Sequence, residues 1–320
     1  YNYYMNEPEA EFRVTCALEH PEKLTARLKV AGQTVETKAA ERFSLKVQLK
    51  GITDGTHPVS LEILDGGKKI AAIQSVLIRK PYRKGAVQVN QYRRCLVADG
   101  KAVLPFMPLI AVWPNDKKVK ERVDFLADNG FKFAMLVVSR NAMNDARTFV
   151  EHAEKRGMKV WQKWQNMTQE KMEAELQYLN KANNILAHLV IDEPELYMKS
   201  EDARDELSRM RKYFPHHPTF MNNTVIGIPN RFADLNTDLL MLDDYLTNRE
   251  NRTVKEIVDQ VDIMWKAGAA EHKPCYYFLV GNNMQNSMRR LMARLPPTAP
   301  DSPTSWESHP IRSIGKPISR

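Results

Sequence analysis

Cysteine is scarce in this 320-residue chain: Cys16, Cys95 and Cys275 stand far apart, with no Cys-x-x-Cys spacing among them. That pattern excludes a zinc ribbon, a dithiol redox motif and a disulfide framework, and each thiol reads as a buried one within an apolar run. No apolar stretch approaches the ~18 residues a membrane-crossing helix needs, so no membrane span is expected. Dense basic runs are also missing. Lysine and arginine number 47 against 39 acidic residues, a net charge of +8, but the surplus is dispersed. The densest runs, 79–84 and 117–120, read as a linker and a first helical turn, which is a solvated surface and not a polyanion-binding face. No nucleic-acid partner is expected. No Gly-x-Gly-x-x-Gly follows the first apolar strand, which removes the dinucleotide-binding sheet, and nothing in the sequence calls for a cofactor or a metal. The chain opens at Tyr1 and not at methionine, and a processed form without its leader is expected.

What is present is a 43% apolar content, enough for a full core, arranged in two patterns. Residues 1–80 hold short alternating runs at roughly ten-residue spacing, such as 43–49 and 59–64, separated by turn signals that include Asp65-Gly66-Gly67. This predicts a small all-β sandwich, Ig-like or jelly-roll-like. Pro81 and Gly85 among basic residues mark a linker over 81–90. From 91 to 294 apolar strands alternate with amphipathic helices, with strands expected at 104–112, 131–138, 159–164, 185–191, 219–223, 239–242 and 274–280. Helices are expected at 117–129, 144–156, 168–180, 200–213 with Ser200 as N-cap, and 254–267. The fold class predicted is α/β: a TIM-type (β/α)8 barrel, incomplete at its C-terminus, preceded by the β-sandwich. Residues 295–320 hold six prolines and no periodic pattern, so they read as an irregular tail that supplies no eighth unit.

In a barrel, functional residues sit where strands end. The fourth strand, Ile185-Leu186-Ala187-His188-Leu189-Val190-Ile191, runs directly into Asp192-Glu193-Pro194-Glu195. Three carboxylates in four residues repel one another. Period-two alternation puts Leu189, Ile191 and Glu193 on one face and Val190 and Asp192 on the other, and Pro194 is expected to hold Glu193 extended. Glu193 is then a general acid with a raised pKa; the alternative is that Asp192 or Glu195 caps the next helix and Glu193 pairs with a basic neighbour. The sixth strand ends in Asp243-Asp244-Tyr245, where either aspartate could face inward as the second carboxylate that glycoside hydrolysis requires. Trp113, Trp161, Trp164 and Tyr245 offer flat faces for a pyranose ring, and Asp192, Lys163, Gln165, Asn222, Asn223, Asn282 and Asn283 offer hydrogen bonds to hydroxyls. Each aromatic has a core reading as well, and the paired asparagines a turn reading.

Over residues 88–285 the chain resembles bacterial glycoside-hydrolase-like barrels that carry an N-terminal β-sandwich. The resemblance rests on Arg94 to Phe106 leading toward the first strand, on Asp192-Glu193-Pro194 after the fourth, and on Asp244-Tyr245 after the sixth. It implies a carbohydrate substrate, hydrolysis with Glu193 as acid, and a secreted, periplasmic or cell-surface location. In the related retaining enzymes the acid is a Glu ending strand four, commonly preceded by Asn, and the nucleophile is a Glu ending strand seven. Glu193 matches the first position with Asp192 in place of Asn, whereas Tyr276 to Asn283 contains no carboxylate. Three options follow: a scheme using Asp243 or Asp244, a nucleophile in another loop, or a barrel that binds carbohydrate without cutting it. A metal-assisted lyase or isomerase using Asp192, Glu193, Asp244 and His188 is a weaker alternative, since His188 lies inside the strand.

Overall fold

The computed structural model describes residues 1–138, 141–164, 181–224, 235, 237–244 and 254–279, together with 173, 175 and 178. In the first eighty residues β1 (Glu9–Thr15) pairs antiparallel with β4 (Arg42–Gln48). Strands β2 (Thr25–Val30), β3 (Gln33–Lys38), β5 (Gly55–Asp65) and β6 (Lys68–Arg79) form a second antiparallel sheet in the order β3-β2-β5-β6. Alternate residues of the two sheets, including Ala26, Leu28, Leu45, Val47, Leu61 and Ile63, meet in one apolar core.

A three-stranded meander follows, made of β7 (Val87–Asn90), β8 (Cys95–Ala98) and β9 (Lys101–Val103). Residues 87–90 fall within the stretch whose prolines and charges suggest a linker. Val87 and Val89 are nonetheless buried, because they pack with Leu96 and Ala98 into the interior of the parallel sheet described next. The first strand of that sheet is also shorter than the apolar run 104–112 suggests. Pro105 and Pro108 interrupt it, leaving Leu104 and Phe106 exposed and β10 confined to Leu109–Val112.

Seven parallel strands then run in sequence order: β10, β11 (Phe133–Val138), β12 (Lys159–Trp164), β13 (Ile185–Asp192), β14 (Thr219–Asn223), β15 (Leu240–Asp244) and β16 (Cys275–Leu279). Helices α1 (Val119–Asp128), α2 (Met143–Lys155), α3 (Ser200–Tyr213) and α4 (Val254–Ala270) lie between them, as β/α alternation requires. Ser200 is the first helical residue of α3 and Lys199 its N-cap, one position from the expectation. The expected helix 168–180 lies largely outside the described residues, and the stretch 280–320 wholly so.

Side-chain alternation sorts this sheet into two layers. Ala134, Leu136 and Val138 of β11, with Val160 and Ile185, face Val123, Leu126, Phe149 and Val150 of the helices. Met135, Trp161, Leu189, Phe220 and Met241 point the other way and share a core with the meander. The rings of Trp161 on β12 and Tyr276 on β16 lie 5.3 Å apart between centroids. Four strand spacings in a flat sheet would separate those strands by about 19 Å. The sheet is therefore curled as in a TIM-like half-barrel, with the meander closing the end at which the strands begin.

Candidate functional site

The carboxyl ends of β12 to β15 converge on one polar cluster above the apolar layer of Trp161, Phe220 and Met241. Its geometry depends on an irregularity in β13. Leu189 pairs with Phe220 and Ile191 with Met221, so Val190 is an extra residue in the ladder. The bulge resets the alternation: Leu189 faces the interior, while Ile191 packs outward with Ala203, Leu207 and Met221. Asp192, opposite Asn222, returns to the interior face. Simple alternation had placed Asp192 opposite to Leu189, and the bulge corrects it.

The backbone of Glu193 also differs from the expected extended form, having φ 48° and ψ 51°, in the left-handed region. Such a conformation costs a non-glycine residue about 1–2 kcal/mol. It is held by Glu193 N donating to Asn222 O at 2.8 Å and by Leu196 N donating back to Glu193 O at 3.1 Å, which closes a 3-10 turn over Pro194–Leu196. The reversal turns Glu193 toward β15, so both Asp192 and Glu193 reach the mouth of the sheet.

Lys163 Nζ donates to Asp192 Oδ2 at 2.6 Å, and Asn222 Nδ2 donates to Asp192 Oδ1 at 3.1 Å. Asn222 also hydrogen-bonds Asp243, which in turn shares a carboxyl–carboxylate hydrogen bond with Glu193. Of the two sixth-strand aspartates, Asp243 continues the interior face of Met241, whereas Leu240 and Leu242 pack outward on Met264 of α4. Burial pushes the Asp243 carboxyl up to about 7; the Asn222 hydrogen bond opposes the rise, and the neighbouring charge of Glu193 adds to it. Burial, then the charge of Asp192, raises Glu193 as well. Each carboxyl raises the other, so the pair resists carrying two negative charges at once.

Of the supports behind this cluster, sequence pattern did not single out Tyr197 and Thr224, and it gave Glu195 and Asn223 other roles. Glu195 accepts from Asn223 Nδ2 at 3.4 Å and from Thr224 N, tying the Pro194 turn to the end of β14 instead of capping α3. Tyr197 Oη donates to the Asp192 carbonyl at 2.9 Å. Asn223 thus braces the turn. Trp113 lies just beyond β10 and is 63% exposed, a free aromatic face at the same ends of the strands. Trp161 is fully buried floor and offers no open face. His188 is buried too and stacks on Phe214. Trp164 and Asp244 close β12 and β15, but their side chains lie outside the described part. Tyr245, Gln165, Asn282 and Asn283 lie outside it altogether. Among the described residues, no group of three or more His, Cys, Asp or Glu side chains is arranged to hold a metal ion, and no helix is long and apolar enough to cross a membrane.

No protein-family model matches the chain, and no curated protein matches it. Solved structures similar to it at low scores include the following three. The FMN-binding β-glucuronidase from Faecalibacterium prausnitzii is 12% identical with a TM-score of 0.43, over 84% of this chain and 45% of that one. A β-glucuronidase from Ruminococcus gnavus in complex with D-glucuronic acid is 15% identical with a TM-score of 0.43, over 87% and 51%. A putative glycoside hydrolase from Bacteroides vulgatus is 9% identical with a TM-score of 0.42, over 83% and 63%. The chain thus spans about half to three-fifths of the length of these proteins.

Proposed function

We propose that this chain is a glycoside hydrolase whose reacting pair is Glu193 and Asp243. The observation that carries the reading is the meeting of two carboxyls from the ends of β13 and β15, both raised by burial and by their neighbours, set over an apolar floor. A hydrolase of O-glycosyl bonds needs one protonated and one ionised carboxyl at the scissile bond, and burial of Asp243 prepares that state near neutral pH. Exposed Trp113 supplies a stacking face for a sugar ring, and Lys163 and Asn222 orient the acids. Residues 1–80 serve as an appended sandwich, 91–294 as the catalytic barrel, and the protein works outside the cytoplasm.

In this reading Asp243, the more deeply buried of the two, is the acid and Glu193 the carboxylate, in place of the acid role expected from sequence for Glu193. Glu193 would attack the anomeric carbon as the glycosidic C–O bond breaks, with the Asp243 proton passing to the leaving oxygen. Water would then add to the glycosyl-enzyme, giving its proton back to Asp243 and releasing Glu193.

Release of reducing ends from a broad glycan panel tests this. Glu193→Gln is expected to abolish turnover with the fold intact. Asp243→Asn should lose natural glycans but still cleave dinitrophenyl glycosides, whose leaving group needs no proton. Hydrolysis of every responsive glycan surviving Glu193→Gln would sink the assignment. The second reading, a barrel that binds carbohydrate without cutting it, draws on the absence of any carboxylate in Cys275–Leu279 of β16. It predicts glycan binding with no reducing ends released.

A further inference from the structure

The mouth of the sheet is unbalanced between donors and acceptors. An asparagine amide has two N–H donors and one carbonyl acceptor. One N–H of Asn222 donates to Asp192 Oδ1 at 3.1 Å, which turns the amide Oδ1 away from that carboxyl. Asn222 is only 3% exposed, and among the described residues its Oδ1 meets no donor. Asp243, 5% exposed, likewise has an Oδ1 without a donor. Buried acceptors left unpaired are costly, so these two oxygens are built for something that arrives. Among the described residues the cationic side chain hydrogen-bonded within the cluster is Lys163, already engaged by Asp192.

Resting on the hydrolase reading and deepening it, we infer that the sugar unit seated over Asn222 and Asp243 brings hydroxyl or ammonium donors to those two oxygens and carries no anionic substituent. A uronate or a sulfated sugar would set its own oxygens against Asp192 and Glu193, and among the described residues Lys163, already paired with Asp192, is the cation hydrogen-bonded there to offset them. A neutral hexose or an amino sugar completes the hydrogen bonds.

Binding can be measured without turnover. Methyl glycosides of the gluco, galacto and manno series, each as the neutral hexose, the 2-amino sugar and the uronate, are titrated into the full chain at pH 7 by ligand-observed NMR. In the series that binds, the neutral or amino sugar should bind at least tenfold more tightly than its uronate. Asn222→Leu should erase most of that preference, and the ratio in the unaltered protein stands as the test if that variant does not fold. A uronate that binds as well as its neutral counterpart overturns the inference and leaves the hydrolase reading in place. Failure of all nine glycosides to bind, with no glycan hydrolysed, takes down both. A rise in melting temperature with calcium or magnesium chloride would give the two oxygens to a metal and overturn the inference alone.

Discussion

Glu193 and Asp243, fifty residues apart in the chain, meet side chain to side chain at the ends of β13 and β15. The pair exists because a bulge at Val190 and a left-handed turn at Glu193 carry the carboxyl toward β15, where Asp243 is held by Asn222. Each of those supports makes a measurable prediction.

Asp243 should make stability fall as pH rises. Its folded pKa, about 7, lies above the ordinary 3.8, so between those values the native state binds more protons than the unfolded one. Stability therefore decreases with rising pH across that window and levels off above it. Urea unfolding at a series of pH values should show this slope in the unaltered protein and a shallower one in Asp243→Asn. Equal slopes would remove the raised carboxyl.

Lys163→Met should destabilise the fold by about 1–2 kcal/mol, below the cost of breaking a deeply buried pair, because the Asp192 side chain is 39% exposed. Adding Asp192→Asn should recover at least half of the loss, since an amide oxygen still accepts from Asn222. A double-mutant cycle with no coupling would mean that the 2.6 Å contact contributes nothing.

Backbone strain at Glu193 separates two truncations that remove the same carboxylate. Glycine adopts φ 48° freely and alanine does not, so Glu193→Gly should be more stable than Glu193→Ala by about 1 kcal/mol. Equal stabilities from denaturant titration would argue that the turn relaxes.

Gly85→Ala should cost about 2–4 kcal/mol, from strain and overlap together. Gly85 has φ +76°, and a Cβ there would run into the Asn183 backbone ahead of β13. That contact is where the approach to β7 meets the parallel sheet. A thermal midpoint unchanged by the substitution would show that the two segments part easily.

The sequence by itself determined the α/β alternation, most strand positions and the cluster of acids after β13. Those features follow from local physics: period-two and helical apolar spacing, and turn residues at fixed places. Lys163, Asp192, Glu193, Asn222 and Asp243 were all legible as strand-end polar residues, and the structure brings them together. Which of them face one another was not legible. A single extra residue in a ladder reverses every side chain beyond it, and nothing in Leu189-Val190-Ile191 announces the bulge that brings Asp192 inward. The choice of Asp243 as partner needed the curl of the sheet, and the strand role of 87–90 needed an open end for Val87 and Val89 to fill. Tertiary structure alone decided these points, because register, curvature and burial are relations between segments, and no local window contains both sides of them.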